Sequence, residues 1–220
     1  MGDPTTSFLV TKAKEGLTRI QGGQLPDVRA PISLHLLTQL ISSLQYVCTN
    51  NYEQFLFTAA FTLAFFGLLR ISEFTSLSSN HVSYKALQLE DITFKPTIME
   101  VTILWSKTDQ RGTSVLLHIP FHAASYCPVR NMQRYLQQRP QAEFNHLFIH
   151  TNLKPLTRFQ FSSVLKKSLH FAGVKGHIRS HSFRIGGATH LSQQGVPDSK
   201  IMTMGRWKSG VYTKYIRLST

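Results

Sequence analysis

Apolar residues recur at Leu34, Leu37, Leu40, Ile41 and Leu44, one face of a helix that Ser33 can cap. The run from Phe55 to Leu69 is apolar almost throughout, and Asn50 or Asn51 can cap it. At about 15 residues, flanked by Glu53 and Arg70, it is shorter than the roughly 17 to 25 that span a bilayer, so it reads as a buried core helix. That helix is expected to deliver Arg70 and Glu73 at its C-terminal end. Leu87–Phe94 and Ile98–Trp105 have strand-like content, and a turn-prone segment, Thr108–Gly112, leads into Ser114–Ile119. The economical reading is a small antiparallel sheet with Lys107 beside a hairpin turn. Helical patterns follow over Val129–Gln138, Thr157–Phe171, Ser182–Gln194, Asp198–Met204 and about Val211–Leu218, punctuated by Pro128, Gly173, Gly195, Pro197 and Gly210.

The predicted fold class is α+β, mainly α, with one small antiparallel β-sheet. Residues 1–30 are polar and interrupted by Gly22, Gly23 and Pro26, so they read as a linker or the remnant of an upstream domain, with the folded domain over 31–220. No internal repeat suggests a solenoid.

Charge narrows the partner. The chain of 220 residues carries a formal net charge of +13. Between Lys154 and Arg217 there are twelve Lys or Arg and one acid, Asp198, so 12 − 1 gives +11 in the last third. Such an imbalance favours a polyanion, nucleic acid or an anionic membrane surface, and charge alone does not choose. The basic residues alternate with apolar and Gly positions, as in folded elements rather than a basic tail. Arg158, Lys166, Lys167, Arg179, Arg206 and Lys208 are the candidate contacts to such a polyanion, DNA-binding residues if it is nucleic acid. Only Cys48 and Cys127 occur, which fits a reducing compartment and excludes a disulfide framework or a CxxC metal site. His177 and His181 have HxxxH spacing, but no Glu or Cys nearby completes a tetrahedral set, so no metal is expected. The N-terminus lacks a basic, apolar, cleavable signal pattern, so secretion is not expected.

Breaking a phosphodiester without metal requires a nucleophile, donors that neutralise charge on the nonbridging oxygens, and an acid for the departing 5'-oxygen. Arg70 and Arg184 suit the second role, because a guanidinium stays protonated and meets a phosphate bidentately. His181 precedes Arg184 by three residues in HSFRIGGAT, so both can face one phosphate from a single helical turn. Lys107 can protonate the leaving 5'-hydroxyl, and Trp207 can donate through its indole N–H. Tyr215 offers a phenol, which surrounding positive charge would help to ionise. Taken singly, each is weak: Arg70 is as well a surface residue, Lys107 an ordinary hairpin lysine and Trp207 a core aromatic.

As an ordered set, Arg70, Lys107, His181 with Arg184, Trp207 and Tyr215 resemble the catalytic signature of the tyrosine recombinase and phage-type integrase family. GLLRISEF resembles that family's first arginine motif, HSFRIGGATH its HxxR motif, and GRWKSGVYTKYIR its terminal motif, covering roughly Pro31 to Arg217. Trp207 stands where many members have a second histidine. SKTDQRGT, CPVRNMQRYL and GRWKS look most like the DIRS, Ngaro and Crypton groups of eukaryotic mobile elements.

The resemblance implies a catalytic domain that works with an upstream core-binding domain. It would cleave and rejoin double-stranded DNA through a 3'-phosphotyrosine, as a homo-tetramer on two DNA sites, in the nucleus, with no cofactor, ATP or membrane. Tyr212 competes with Tyr215 as nucleophile, and the spacing from Trp207 and the YIR context favour Tyr215. Glu73 either orients His181 or Arg70 or forms a surface ion pair. The rivals are a domesticated fold that binds DNA without cutting, a type IB topoisomerase and a protein-interaction role.

Overall fold

The computed structural model describes residues 10, 12, 28–79, 85–105, 114–208 and 210–217. Helix α1 (Leu34–Val47) starts where Ser33 accepts a hydrogen bond from the Leu36 amide at 3.1 Å, and it buries Leu37, Leu40 and Leu44. Helix α2 (Asn51–Phe66) is capped by Asn50, which accepts from the Glu53 amide at 2.9 Å. From Leu56 onward α2 is enclosed on nearly every side, as its unbroken apolar run predicts.

The exit from α2 differs from expectation. The helix stops at Gly67, Leu68 turns into the left-handed region at φ 48°, and Arg70 caps a separate short helix, α3 (Ile71–Phe74). Arg70 and Glu73 therefore belong to a new element and not to the end of α2.

Strands β1 (Ile92–Phe94), β2 (Ile98–Ile103) and β3 (Val115–Pro120) form an antiparallel sheet in the order β1-β2-β3. Register pairs Met99 with Ile119, Val101 with Leu117 and Ile103 with Val115, which turns one apolar face into the core. Of the strand expected over Leu87–Phe94 only Ile92–Phe94 forms; Leu89–Asp91 is a 3-10 turn, because the Asp91 carboxylate accepts from the Gln88 amide at 2.8 Å and closes the chain there. Strand β2 also stops short of Leu104 and Trp105. The hairpin turn and Lys107 lie outside the described residues.

Helices α4 (Pro128–Gln138), α5 (Arg158–Phe171), α6 (His181–Gln193) and α7 (Asp198–Gly205) complete the fold. The last element, Gly210–Tyr215, is 3-10 and not the α-helix expected. The segment is only six residues long, a length at which terminal pieces close with 3-10 bonds. Phe61, Phe161 and Phe183 join α2, α5 and α6, with ring centres 5.0 to 5.6 Å apart. The double glycine of α6 has a packing reason. A Cβ on Gly186 would fall 1.8 Å from the Ile32 carbonyl oxygen, and one on Gly187 would fall 2.2 Å from that of Phe65. The backbone of α6 thus lies directly against the end of α2, which carries Arg184 to Leu68.

Candidate active site

The floor of the site is a buried carboxylate. Glu73 accepts from the Arg70 backbone amide at 2.8 Å and from the Arg70 guanidinium at 3.0 Å. It also accepts from Arg206 Nη2 at 2.7 Å. Arg206 reaches it because it ends α7 in the left-handed region, at φ 53°, which turns its side chain inward onto Glu73 and the Leu68 and Met204 carbonyls. Burial pushes the Arg206 guanidinium below its ordinary value, and Glu73 opposes that shift. Arg206 was expected on the DNA surface. The structure places it in the interior as the partner of Glu73.

Arg184 is fully buried at 0% exposure. Its Nη1 donates to the Leu68 carbonyl and its Nη2 to the Gly205 carbonyl. Leu68, held at positive φ, accepts from both Arg184 and Arg206, so one unusual backbone residue orients two guanidiniums. Burial lowers the Arg184 pKa, and the nearby charges of Arg70 and Arg206 lower it further, against the opposing pull of Glu73 and Tyr215. Three guanidiniums share one carboxylate, a formal 3 − 1 = +2 at a largely buried point. Such a cluster is stabilised by an anion. Two further donors, Arg184 Nε and the Trp207 indole N–H, are buried without a hydrogen-bond partner among the described residues. Arg70, with 17% of its side chain exposed, is the arm of the cluster that reaches the surface.

Tyr215 closes the site. Its ring lies 4.7 Å from that of Trp207, 5.2 Å from that of His181 and 5.4 Å from the Arg184 guanidinium carbon. His181 opens α6, one turn before Arg184, as its spacing requires. Arg70, His181, Arg184, Trp207 and Tyr215 thus share one neighbourhood. Tyr212 does not join them: its hydroxyl donates to Asp198 on α7, and that bond holds its phenol above its ordinary pKa.

Glu73 contacts Arg70 and Arg206 rather than lying in a surface pair. Arg158, Lys166, Lys167, Arg179 and Lys208 are all exposed. Thr189 and the carbonyls of Leu68 and Gly205 also shape the site. No sequence pattern marks a carbonyl, and Thr189 was legible only as part of HSFRIGGATH.

Fold and site together define a mainly helical domain with a guanidinium-rich anion site beside a tyrosine. Residues 35–219 match the phage integrase family. The chain belongs to that family of tyrosine recombinases. It is 30% identical over 160 residues to an integrase/recombinase XerD homologue of Selenomonas ruminantium, across 67% of this chain and 42% of that protein. It is 25% identical over 178 residues to a tyrosine recombinase of Pseudothermotoga lettingae, across 80% of this chain and 53% of that protein. The post-cleavage complex of the XerH site-specific recombinase with a palindromic difH substrate has the same fold. Its TM-score is 0.67 at 13% identity, over 86% of this chain and 50% of that one. The chain spans about half the length of the relatives it matches.

Proposed function

We propose that this chain is the catalytic domain of a site-specific recombinase that cleaves and rejoins duplex DNA through Tyr215. The observation that carries the reading is the surplus of guanidinium charge beside the Tyr215 ring, with two donors there unpartnered among the described residues. Tyr215 Oη attacks the phosphorus, the bond from phosphorus to the 5'-oxygen breaks, and the 3'-phosphate becomes tyrosine-linked. His181, beside the phenol, takes its proton. Arg70, Arg184 and Trp207 stabilise the pentacoordinate phosphate, Lys107 protonates the departing 5'-oxygen, and Glu73 with Arg206 holds Arg70 in place. Rejoining runs the step backwards with another 5'-hydroxyl, so phosphodiester energy is conserved and no nucleotide is consumed. The XerH complex with its difH substrate supports double-stranded DNA as the partner. The exposed Arg158, Lys166, Lys167, Arg179 and Lys208 follow its backbone.

The test is a nicked suicide duplex that loses its 5'-hydroxyl fragment on cleavage. The full chain should form a covalent adduct mapping to Tyr215, Tyr215→Phe none, and Tyr212→Phe an adduct that still maps to Tyr215. Adduct from Tyr215→Phe at the wild-type level would overturn the assignment. DNA binding without adduct from any form would leave a binding module.

Further features of the reading rest on the sequence. SKTDQRGT, CPVRNMQRYL and GRWKS favour a DIRS, Ngaro or Crypton-type mobile-element origin, and hence a nuclear site of action. Imaging of the tagged chain, with exclusion from the nucleus as the contrary result, checks the latter. The assembly is a homo-tetramer on two sites, and sedimentation on two-site DNA would show four copies per complex if that is so.

A further inference from the structure

The 3-10 segment carrying Tyr215 has no fully buried side chain; Tyr212 and Tyr215 pack partly against Trp207 and its neighbours, and polar anchors fix the rest of its backbone. One anchor stands out. Thr189, at 6% exposure, lies in α6 five residues beyond Arg184, about 7.5 Å of helical rise. Its Oγ1 accepts from the Arg217 backbone amide at 3.0 Å and lies 3.2 Å from the Tyr215 carbonyl oxygen. The same oxygen is 2.9 Å from the Ile185 carbonyl in the preceding turn. A hydroxyl has one proton and two lone pairs, so it donates to one carbonyl at a time while accepting from Arg217. Bonding to Ile185 alone would be ordinary helix behaviour and would need nothing from the terminal segment. The contacts to Tyr215 and Arg217 are different in kind, because they bracket the phenol-bearing residue on its C-terminal side.

We propose that Thr189 is a positioning residue for Tyr215, its hydroxyl splicing the backbone of the terminal segment to the helix that supplies His181 and Arg184. The inference rests on Tyr215 being the nucleophile. Tyrosine has two rotatable side-chain bonds, so once its backbone is pinned the phenolic oxygen sweeps a small volume. Without the tether the Tyr215 Cα is free to drift, and an error of about 1 Å in a reacting atom costs on the order of 100-fold in rate. Tyr212, bonded to Asp198 on α7, holds the other end of the segment and leaves Thr189 as the clamp nearest the reacting ring.

The experiment compares the full chain with Thr189→Val, which removes the hydroxyl at nearly constant shape, and Thr189→Ser, which keeps it. Three quantities are read: single-turnover adduct on the suicide duplex, equilibrium DNA affinity, and exchange of the Arg217 amide. Thr189→Val should slow adduct formation by roughly tenfold or more, with DNA affinity changed by less than about twofold. Arg217 should lose protection while the amides of α6 keep theirs, and Thr189→Ser should recover to within about threefold of the wild-type rate. Adduct at the wild-type rate from Thr189→Val, or an equal loss in the serine variant, overturns the role. Should the valine variant fail to fold, the wild-type exchange decides: an Arg217 amide exchanging as fast as an open chain removes the tether. A wild-type chain that forms no adduct brings down the nucleophile reading itself, a result separate from normal cleavage by Thr189→Val.

Discussion

The guanidinium carbon of Arg184 lies 4.1 Å from the centre of the Trp207 ring, so the indole forms a lid over the most deeply buried charge in the site. Trp207 stands just past the end of α7, and Gly205 before it is obligatory: a Cβ there would fall 1.8 Å from the indole ring. The ring excludes water from one face of Arg184 and offers its π-density in return, while its N–H is a donor without a partner among the described residues. One residue thus gives Arg184 a ring to rest against and, on the proposed reading, offers a hydrogen bond to an incoming phosphate.

The two contributions separate by substitution. Trp207→Ala removes both. The lost donor to the phosphate should slow adduct formation by on the order of 100-fold, and losing the ring removes the support of Arg184 as well. Trp207→Phe keeps a ring over Arg184 and loses only the donor, so its rate should fall between wild type and alanine. Adduct formation in single turnover checks the order, and an alanine variant as fast as wild type would show that the stack is ornamental to catalysis.

Glu73 should be a stability residue as much as a site residue. It compensates Arg206, whose side chain is 3% exposed, and Glu73→Ala leaves that charge buried and unpaired. The expected loss is about 3 to 5 kcal/mol in urea unfolding. Removing both charges with Glu73→Ala and Arg206→Met should cost less than Glu73→Ala alone, since neither half is then stranded. Strictly additive losses in that cycle would mean that the ion pair is uncoupled.

Gly187→Ala tests the approach of α6 to α2. The added methyl would meet the Phe65 carbonyl oxygen at 2.2 Å, and neither backbone can yield without moving Arg184 relative to Leu68. A loss of about 1 to 3 kcal/mol is expected, with adduct formation falling further than stability alone explains. Gly173→Ala is the contrast, because its Cβ would meet nothing within 4 Å and only the strain of φ 66° opposes it.

Much of this was legible in the chain itself, and the exceptions have physical causes. The α1 stripe and the unbroken α2 run announce themselves because burial dictates residue type at a fixed period. The HxxR spacing placed His181 and Arg184 on one turn because a helix leaves no other choice. Arg206 misleads: in GRWKS, between a glycine and a tryptophan and two residues from Lys208, it reads as surface charge. Its left-handed backbone, which nothing in an arginine advertises, turns it inward to Glu73. Leu68 hides its part in the same way, since a leucine at positive φ and the aim of its carbonyl belong to tertiary structure. The last helix reads as α from its residues, yet over only six residues the chain closes as 3-10.

Acid sensitivity should originate away from the guanidinium cluster, at His122 and His190. Their rings lie 5.4 and 6.3 Å from that of Phe66, and His190 also contacts Phe65 at 5.8 Å. Burial lowers the pKa of both, and the charge of His122 lowers that of His190 further. An unfolded histidine titrates near 6.5, above these folded values. As pH falls through about 6.5 the unfolded chain takes up protons that the folded chain refuses, so stability drops, whereas above about pH 7 both states are neutral and stability is flat. Each such proton contributes a slope of at most about 1.4 kcal/mol per pH unit, and partial exposure reduces it. His146 and His150, also lowered by burial, add to the same trend, with Glu53, 3.7 Å from His150, partly offsetting its share. His190→Phe fits the aromatic surroundings and cannot titrate, so urea midpoints taken from pH 7.5 to pH 5 should decline less steeply than in the wild type. An unchanged slope would mean that the acid response lies elsewhere in the chain.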